Sequence, residues 1–557
     1  MGRRDRLRRG LVAAAGVSLA TGGAGLALGP AGPVGAATLD VTSTGDSGPG
    51  SLRAALASAG DGDVLDLTGL SGTITLTSGP LVIDEHVTIV GPGADRLTVS
   101  GGGTDRVLVL DPATDGTGTV VVRDLTIADG YADNDPLQGG GGILFACGLN
   151  SATSLVLDHV TLTRNRSVFL GAGLYFDECN SGGEYGSLTI TGSTITDNTS
   201  YYSGAGGVWF DAGAELTITD TVIDHNASVG WSAAGLSVST GERATITGTS
   251  ITANTNYFLQ GGGAEFRGID TVISGSTIAG NRTTEAGGAG VHVLGSYLRT
   301  FTMRNSTVAG NVAAYYGGAF YVEGAAAVVV VENSTISGNS ANQAGAAYGG
   351  LDGIRLVAST VTNNVARAPA SGVAVGGILQ SGPAPGCAST SPRVAVTRAG
   401  PVAVRQHAFD AGVGTSAADA ACGAGLATAD GHLDLVGTIL AGNSGLDVGR
   451  WRDGVVNVSA DHSLVGRIDA TVPVTDVGGS TFDVADPGLA PLADNGGPTA
   501  THALLPGSPA IDAGPDPLPD FPGSTDDQRG PGYARVVGGA ADVGAYEVQW
   551  VEPAFTG

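Results

Sequence analysis

Val160-Thr161-Leu162-Thr163-Arg164-Asn165 is the first complete copy of a motif that the chain repeats with small changes. A second copy, Ser193-Thr194-Ile195-Thr196-Asp197-Asn198, follows it. In each copy an apolar residue alternates with Thr, and an Asn closes the motif. The closing Asn then recurs every 25 to 33 residues, at Asn226, Asn254, Asn281, Asn311, Asn339 and Asn364. A repeat of this length is typical of a solenoid.

A second motif lies between the Asn motifs, and it consists of small residues followed by an apolar alternation. Examples are Gly140-Gly141-Gly142-Ile143 and Gly262-Gly263-Ala264. No segment of the repeat has a helical period long enough for a crossover helix. The sequence therefore predicts an all-β fold, a parallel β-helix in which each strand pairs with its copy one coil on. We expect the closing Asn to have a structural role, because Asn tolerates left-handed turns and its amide can bond along the column.

The composition limits the class of partner. The chain has 557 residues, 94 of them Gly, and only 14% are charged. There are 52 Asp and Glu against 26 basic residues, all of them Arg, which gives a net charge of −26. A charge of this sign argues against nucleic acid or an anionic membrane as partner. We expect a monomer.

The N-terminus has the pattern of a secretory signal peptide. Basic residues from Arg3 to Arg9 precede an apolar run from Leu11 to Leu28, and small residues at Ala36 and Ala37 suit cleavage. A twin-arginine route at Arg8-Arg9 is also open. We expect a protein that is secreted or associated with the cell wall. The predicted order is a signal peptide over 1–37, a strand and helix cap over 38–63, the β-helix over 64–380, an insertion over 381–430, the last coils over 431–480 and a C-terminal region over 481–557.

Four cysteines in an exported chain predict up to two disulfides, for which three pairings are possible. Cys147 and Cys179 lie about one coil apart, and adjacent strands lie about 4.8 Å apart, which fits a disulfide. Cys387 and Cys422 would then close the irregular insertion. We favour these two pairs over free thiols.

The C-terminal region contains the most specific sequence motifs in the chain. It runs from Asp486-Pro487-Gly488-Leu489 through Asp512-Ala513-Gly514 and Asp527-Gln528-Arg529-Gly530 to Asp542-Val543-Gly544-Ala545-Tyr546-Glu547. These motifs resemble the choice-of-anchor Q family of exported bacterial proteins. The resemblance implies a right-handed parallel β-helix of the pectate-lyase-like kind. The acidic and basic residues of this region resemble a catalytic set, but their Pro- and Gly-rich surroundings favour a cap held by buried ion pairs.

The N-terminal residues Ser51-Leu52-Arg53 are similar to the CSLREA motif of bacterial surface proteins. The chain departs from that motif at Gly50, where the motif has Cys, and at Ala54, where it has Glu. A short helix here would cover the open end of the solenoid core.

The strands after the Gly-rich motif predict two columns of residues facing away from the core. The first column combines rings, carboxylates and a His, and we take it as a candidate glycan-binding surface: Tyr175, Trp209, Glu265, His292, Tyr321 and Asp352. Aromatic rings stack on sugars, and polar groups orient hydroxyls or uronates. The second column contains Asp177, Asp211, Arg267 and Glu323, and Asp177 with Asp211 one coil apart would suit Ca²⁺. The alternative is a solvated sheet with unrelated outward residues.

These observations favour a structural, adhesive or glycan-binding protein at the cell surface. The alternative is a polysaccharide lyase or glycoside hydrolase, for which Glu265, Arg267 and His292 are the catalytic candidates. Paired glycosidase carboxylates stand roughly 5 to 9.5 Å apart, and Glu265 and Glu323 stand two coils apart, so their separation is marginal. An inert scaffold is the third possibility. No cofactor other than calcium is implied.

Overall fold

The computed structural model describes residues 36–549 apart from internal gaps. The gaps are 111–117, 134–138, 146–152, 177–185, 203, 231, 259, 296–298, 324–327, 350–352, 368–374, 381–430 and 451–455. The predicted signal peptide, the insertion and all four cysteines lie outside the described residues. Both disulfides therefore stay predictions.

The described chain is a parallel β-helix, in which each strand pairs in parallel with the strand one coil on. Three faces form each coil. Face A follows the Gly-rich motif and consists of Leu81–Ile83, Leu108–Leu110, Ile143–Phe145, Leu174–Phe176, Val208–Thr219, Leu236–Thr247, Ala264–Arg267, Val291–Leu294, Phe320–Glu323, Ala347–Gly349, Val375–Gln380 and Leu446–Arg450.

Face B comes next along each coil. Val208–Thr219 and Leu236–Thr247 run from face A into it without interruption, so the two faces form one 25-stranded sheet. Its other strands are Thr38–Asp40, Val64–Asp66, Thr88–Val90, Thr119–Arg123, Ser154–Asp158, Leu188–Thr191, Asp270–Ser274, Thr300–Arg304, Val328–Glu332, Gly353–Val357, Gly431–Val436, Val456–Asp461 and Val474–Gly478.

Face C is a 13-stranded sheet that carries the Asn motif. Its strands are Gly72–Thr75, Leu97–Ser100, Thr126–Ala128, Thr161–Thr163, Thr194–Thr196, Val222–Asp224, Ser250–Thr252, Thr277–Ala279, Thr307–Ala309, Thr335–Ser337, Thr360–Thr362, Ile439–Leu440 and Leu464–Val465. Two-residue strands form two further sheets, and all but the first of them follow a closing Asn. The first sheet consists of Tyr131–Ala132, Arg166–Ser167, Thr199–Ser200, Ala227–Ser228, Thr255–Asn256 and Arg282–Thr283, and the second of Ser340–Ala341 and Val365–Ala366.

The core lies between the three faces and consists of stacked side chains of the same kind in successive coils. Phe145, Phe176 and Phe210 form one such stack, with ring centroids 4.5 and 5.1 Å apart. Parallel pairing places identical positions one above another, so the alternation read from the sequence becomes continuous apolar columns.

The closing Asn residues form a continuous buried ladder from Asn165 to Asn443. The Nδ2 of Asn254 donates to the carbonyl oxygen of Ile223 at 2.9 Å and to Oδ1 of Asn281 at 3.0 Å. The same Oδ1 accepts the backbone N–H of Asn254 at 3.0 Å. Each amide therefore satisfies backbone groups of the preceding coil and bonds to the next amide of the ladder, which confirms its structural role.

The left-handed conformation at this turn belongs to the residue before the ladder Asn, so the conformational part of the expectation is wrong. The φ angle is 55° at Arg164, 57° at Asp197, 52° at His225 and 53° at Ala253. The Asn is required for its amide, which turns inward, because the preceding residue alone adopts the strained backbone.

One short α-helix, Leu52–Leu56, covers the N-terminal end of the core. The hydroxyl of Ser51 accepts the backbone N–H of Ala54 at 3.2 Å and caps the helix. The helix buries Leu52 and Leu56 against the first coils. No helix in the described part of the chain has the length and apolar character to cross a membrane.

The C-terminal segment, 486–549, is mostly turns, with one antiparallel pair, Val536–Val537 and Ala540–Ala541. It lies along the outer side of face C. Gln528 is fully buried there, and its amide donates to Thr307 Oγ1 at 2.9 Å and accepts from Thr335 Oγ1 at 2.6 Å. The buried ion pair Asp527–Arg529, at 2.5 Å, holds the segment together.

Candidate functional site

The strand register confirms most of the first outward column. Tyr175 pairs with Trp209, Trp209 with Ser237, Ser237 with Glu265, Glu265 with His292, and His292 with Tyr321. The next member is Tyr348, because Ala347–Gly349 pairs with the strand that starts at Phe320. Tyr348 therefore takes the place next to Tyr321 that the alignment gives to Asp352, which itself lies outside the described residues. The repeat is shorter there, and the strand Ala347–Gly349 ends at the first residue of the Gly349-Gly350-Leu351 motif.

The outward column is largely sealed from solvent, which differs from the open surface that the alternation predicts. Glu265 is 0% exposed, His292 2% and Tyr175 6%. The cover is the Gly-rich segment that precedes each strand. Gly288, with φ of 64°, lies so close that a Cβ added there would be 2.9 Å from Cβ of Tyr321. Only glycine allows this backbone to lie over the side chains of the next coil.

Within the column, His292 bridges two carboxylates. Its Nδ1 lies 3.0 Å from Oε2 of Glu265, and its Nε2 lies 3.1 Å from Oε2 of Glu323. Arg267 Nε donates to the other oxygen of Glu265. Two carboxylates, one guanidinium and one imidazolium give a cluster whose formal charges cancel, and each charge has a partner of opposite sign.

The cluster shifts the pKa values of its members. Burial acts to lower the pKa of His292, but hydrogen bonds to the two carboxylates outweigh it and raise this pKa to about 9. Burial acts to raise the pKa of Glu265 and of Glu323, but the charged His292 lowers both. These directions agree with the geometry, because both ring nitrogens must carry hydrogen to donate to two carboxylates.

A group of tyrosines extends the cluster toward the next coils. The hydroxyl of Tyr321 donates to Oε1 of Glu323, and its ring stacks on His292 with centroids 5.3 Å apart. Tyr316 and Tyr348 contact the Tyr321 ring at 5.9 and 5.7 Å. Burial, followed by the charge of Glu323, raises the pKa of Tyr321, so its hydroxyl remains a donor.

The arrangement limits what the catalytic candidates can do. Glu265 is fully buried, and the imidazole of His292 occupies the space between the two carboxylates, whose strands lie two coils apart. Both carboxylates already accept hydrogen bonds. The side chains that remain partly open are Arg267 and Glu323, at 37% and 35% exposure. These two groups could bind a polar ligand, whereas Glu265 and His292 are buried and could affect that ligand only through them.

The remaining predicted residues do not join this cluster as one site. Trp209 is half-buried, and its indole Nε1 is buried with no hydrogen-bond partner among the described residues. Asp211 is half-buried. Burial lowers the pKa of Arg267, whereas Glu265 and, to a smaller extent, Asp211 raise it. Asp177 and Asp352 lie outside the described residues, so the calcium site stays a prediction. No set of three His, Cys, Asp or Glu residues suited to a metal occurs in the described ranges.

A second feature was missed by the sequence reasoning. Exposed aromatic residues follow the two-residue strands in several coils, and we call this surface the aromatic edge. It consists of Tyr201, Tyr202, Tyr257, Phe258 and Tyr315, at 43%, 67%, 50%, 49% and 51% exposure. The signal was present in the sequence, because the pairs Tyr201-Tyr202, Tyr257-Phe258 and Tyr315-Tyr316 each follow a ladder Asn by three or four residues.

The members of the aromatic edge occupy equivalent places. Tyr202, Phe258 and Tyr315 each stand four residues after a ladder Asn, and each is separated from the next by two coils. Neighbouring parallel strands are about 4.8 Å apart, so these rings recur at roughly 10 Å along the solenoid. Phe169, at the same position one coil before Tyr202, contacts the Tyr202 ring with centroids 5.8 Å apart.

Comparison with known proteins supports the fold. Residues 158–376 match the family model described as a right handed beta helix region. No curated protein and no solved structure matches the chain. The strand order and this match together make the described chain a right-handed parallel β-helix.

Proposed function

We propose that this protein is a secreted or cell-surface-associated β-helix that binds glycans, and that the aromatic edge is its binding surface. The observation that carries the proposal is the recurrence of an exposed ring at one position of every second coil, at Tyr202, Phe258 and Tyr315. Rings of this kind stack on the apolar faces of sugars. Exposed apolar side chains arranged in a row mark an interaction surface, whereas scattered ones need no explanation.

The scaffold suits a repetitive ligand. The buried Asn ladder passes through the coils that carry Tyr202, Phe258 and Tyr315 and fixes their separation. A surface held in its binding geometry before the ligand arrives loses little conformational entropy on binding. A polysaccharide has a regular repeat, so one rigid row of rings contacts several of its sugars at once and gains from their combined affinity.

The resemblances seen in the sequence support the cellular location. The signal-peptide pattern over 1–37, the choice-of-anchor Q motifs and the partial CSLREA motif all point to export. In an oxidising compartment the pairs Cys147–Cys179 and Cys387–Cys422 would form disulfides. The right-handed β-helix match is compatible with a carbohydrate-related role at the surface.

The test is retention of the purified protein on a panel of immobilised polysaccharides. The variant Tyr202→Ala/Phe258→Ala/Tyr315→Ala removes the aromatic edge, and we expect it to bind at least tenfold more weakly. The control is Val82→Ala/Val477→Ala/Leu505→Ala, which removes exposed apolar side chains elsewhere. Failure of the wild-type protein to bind any polysaccharide, or equal binding by both variants, would overturn the proposal.

A polysaccharide lyase or glycoside hydrolase is the second candidate. The observation that favours it is the cluster around His292, since strongly shifted pKa values gather at functional sites. Arg267 is the partly exposed cation of this cluster and would bind a substrate carboxylate. The same incubations should then release unsaturated or reducing ends that disappear in Arg267→Ala. Retention without such products leaves the binding function alone.

A further inference from the structure

We infer that the aromatic edge takes an acidic polysaccharide, and that Arg166, Arg282 and Arg367 bind its carboxylates. This inference rests on the proposed function and specifies its ligand class. The charge of this surface carries it, because these three arginines stand among the exposed rings of a protein whose net charge is −26.

The three arginines differ from seven others in the described chain. Ion pairs with carboxylates engage Arg53, Arg164, Arg267, Arg299, Arg304, Arg355 and Arg529. Arg166, Arg282 and Arg367 are all exposed, and no carboxylate of the described residues forms an ion pair with them. A guanidinium group that no carboxylate neutralises keeps its positive charge available to an anion from outside.

Two of these arginines lie beside the coil that carries Tyr315. Arg367 donates from Nη2 to the carbonyl oxygen of Ala313, two residues before Tyr315. Arg282 pairs through its backbone with Val312 of the same coil. Burial, and then the positive charge of Arg282, lower the pKa of Arg367. An anion beside Tyr315 would relieve this repulsion.

Arg166 lies on a strand beside the other end of the row of rings. Its strand, Arg166–Ser167, pairs with Thr199–Ser200, which leads directly into Tyr201 and Tyr202. Acidic residues are rare along this edge. Glu285 is the one acidic residue among the four positions that follow each ladder Asn from Asn165 to Asn339 and the three positions 365–367. The edge therefore carries three positive charges and one negative charge along the rings.

The chemistry of these groups favours a polyuronate. A guanidinium binds a carboxylate through two parallel hydrogen bonds, and the neighbouring ring stacks on the sugar that bears it. A neutral glycan would use the rings and leave the arginines without partners. Single-stranded nucleic acid also combines negative charge with stacking, so it is the competing ligand that the experiment must include.

The experiment compares charged and neutral forms of the same polymers. Polygalacturonate and alginate are offered beside their carboxyl-reduced counterparts, with single-stranded DNA as a further ligand, at low and moderate salt. The wild-type protein should bind at least one carboxylated polymer ten times or more tighter than its reduced form. The variant Arg166→Gln/Arg282→Gln/Arg367→Gln should lose this preference, and Glu285→Gln should strengthen it.

The matched control changes the same charge elsewhere. Arg164→Gln/Arg299→Gln/Arg355→Gln removes three exposed arginines that already have carboxylate partners, so the preference should survive. Equal binding of charged and neutral polymers, or equal losses in both triple variants, would overturn the inference while leaving glycan binding in place. Tighter binding of DNA, or an edge that instead joins two copies of the chain in a concentration-dependent dimer, would also overturn it.

Discussion

The Nδ1 of His292 lies 3.0 Å from Oε2 of Glu265, and both side chains are sealed although they face away from the apolar core. The opposite ring nitrogen lies 3.1 Å from Glu323. A neutral imidazole has one N–H and could donate to only one of these carboxylates. The buried ring is therefore held as an imidazolium, and its charge completes the neutral cluster.

Protonation of His292 should make stability fall at alkaline pH. Its folded pKa of about 9 exceeds the ordinary value of 6.5, so the stabilisation is complete below about 6.5. It is lost as the pH rises through about 9, because the neutral ring can no longer donate to both carboxylates. We expect the free energy of unfolding to decrease by a few kcal/mol between pH 6.5 and pH 10.

Chemical denaturation across this pH range measures the effect. In His292→Gln the side chain no longer titrates, so the fall in stability between pH 6.5 and pH 10 should become much smaller. His225→Gln serves as the control, since His225 is exposed and pairs only with its neighbour Asp224. Parallel pH profiles for wild type and His292→Gln would contradict the assignment.

Glu265→Gln should destabilise the protein at neutral pH. The substitution removes the charge that faces both His292 and Arg267, so the buried imidazolium keeps only one of its two carboxylates. Breaking a buried ion pair by removing one partner costs about 3 to 5 kcal/mol. Asp270→Gln removes the carboxylate from an exposed pair with Arg299 and should cost less than about 1 kcal/mol. Similar costs for the two variants would show that the buried network contributes little.

Asn254→Ala should lower stability strongly through the ladder. The amide donates to Ile223 and Asn281, and its oxygen accepts from Asn226, so its removal leaves several buried groups without partners. Each buried unsatisfied group costs about 1 to 3 kcal/mol. Asn342→Ala, at a half-buried position outside the ladder, should change the free energy of unfolding by less than about 1 kcal/mol. An equal effect of both substitutions on the denaturation midpoint would contradict the role of the ladder.

The sequence predicts the fold well because parallel coils turn one-dimensional periodicity into geometry. The same spacing that repeats Asn165 and Asn198 also stacks them, and the pairing of Glu265 with His292 follows from alignment on the Gly-rich motif. The alignment fails in the short coil after Asn339. There the strand ends at Gly349 and carries Tyr348 at the place that the alignment gives to Asp352.

Burial of the outward column could not be predicted from alternation. Alternation assigns Glu265 and His292 to the side away from the core, but exposure depends on what lies over that side. Here the cover is backbone from the Gly-rich segments, whose close approach is a property of three-dimensional packing. The aromatic edge was missed for a related reason, because its residues belong to no strand and show their regular spacing only when counted from the ladder Asn.

Gln528→Ala should loosen the C-terminal segment from the side of face C. Its buried amide joins Thr307 and Thr335 of the solenoid to Thr499 of the segment. The loss removes the acceptor of the Thr335 hydroxyl and a donor to the hydroxyls of Thr307 and Thr499, and it should cost about 1 to 3 kcal/mol of docking free energy. Limited proteolysis should then cut within 486–549 several times faster than in the wild type, while the coils remain resistant. Gln549→Ala is the control, because its amide bonds only within the segment, to Ala534 and Glu547. Unchanged cleavage in Gln528→Ala would mean that the segment is held by its other contacts, such as those of Arg535 with Asn333 and His502 with Ser337.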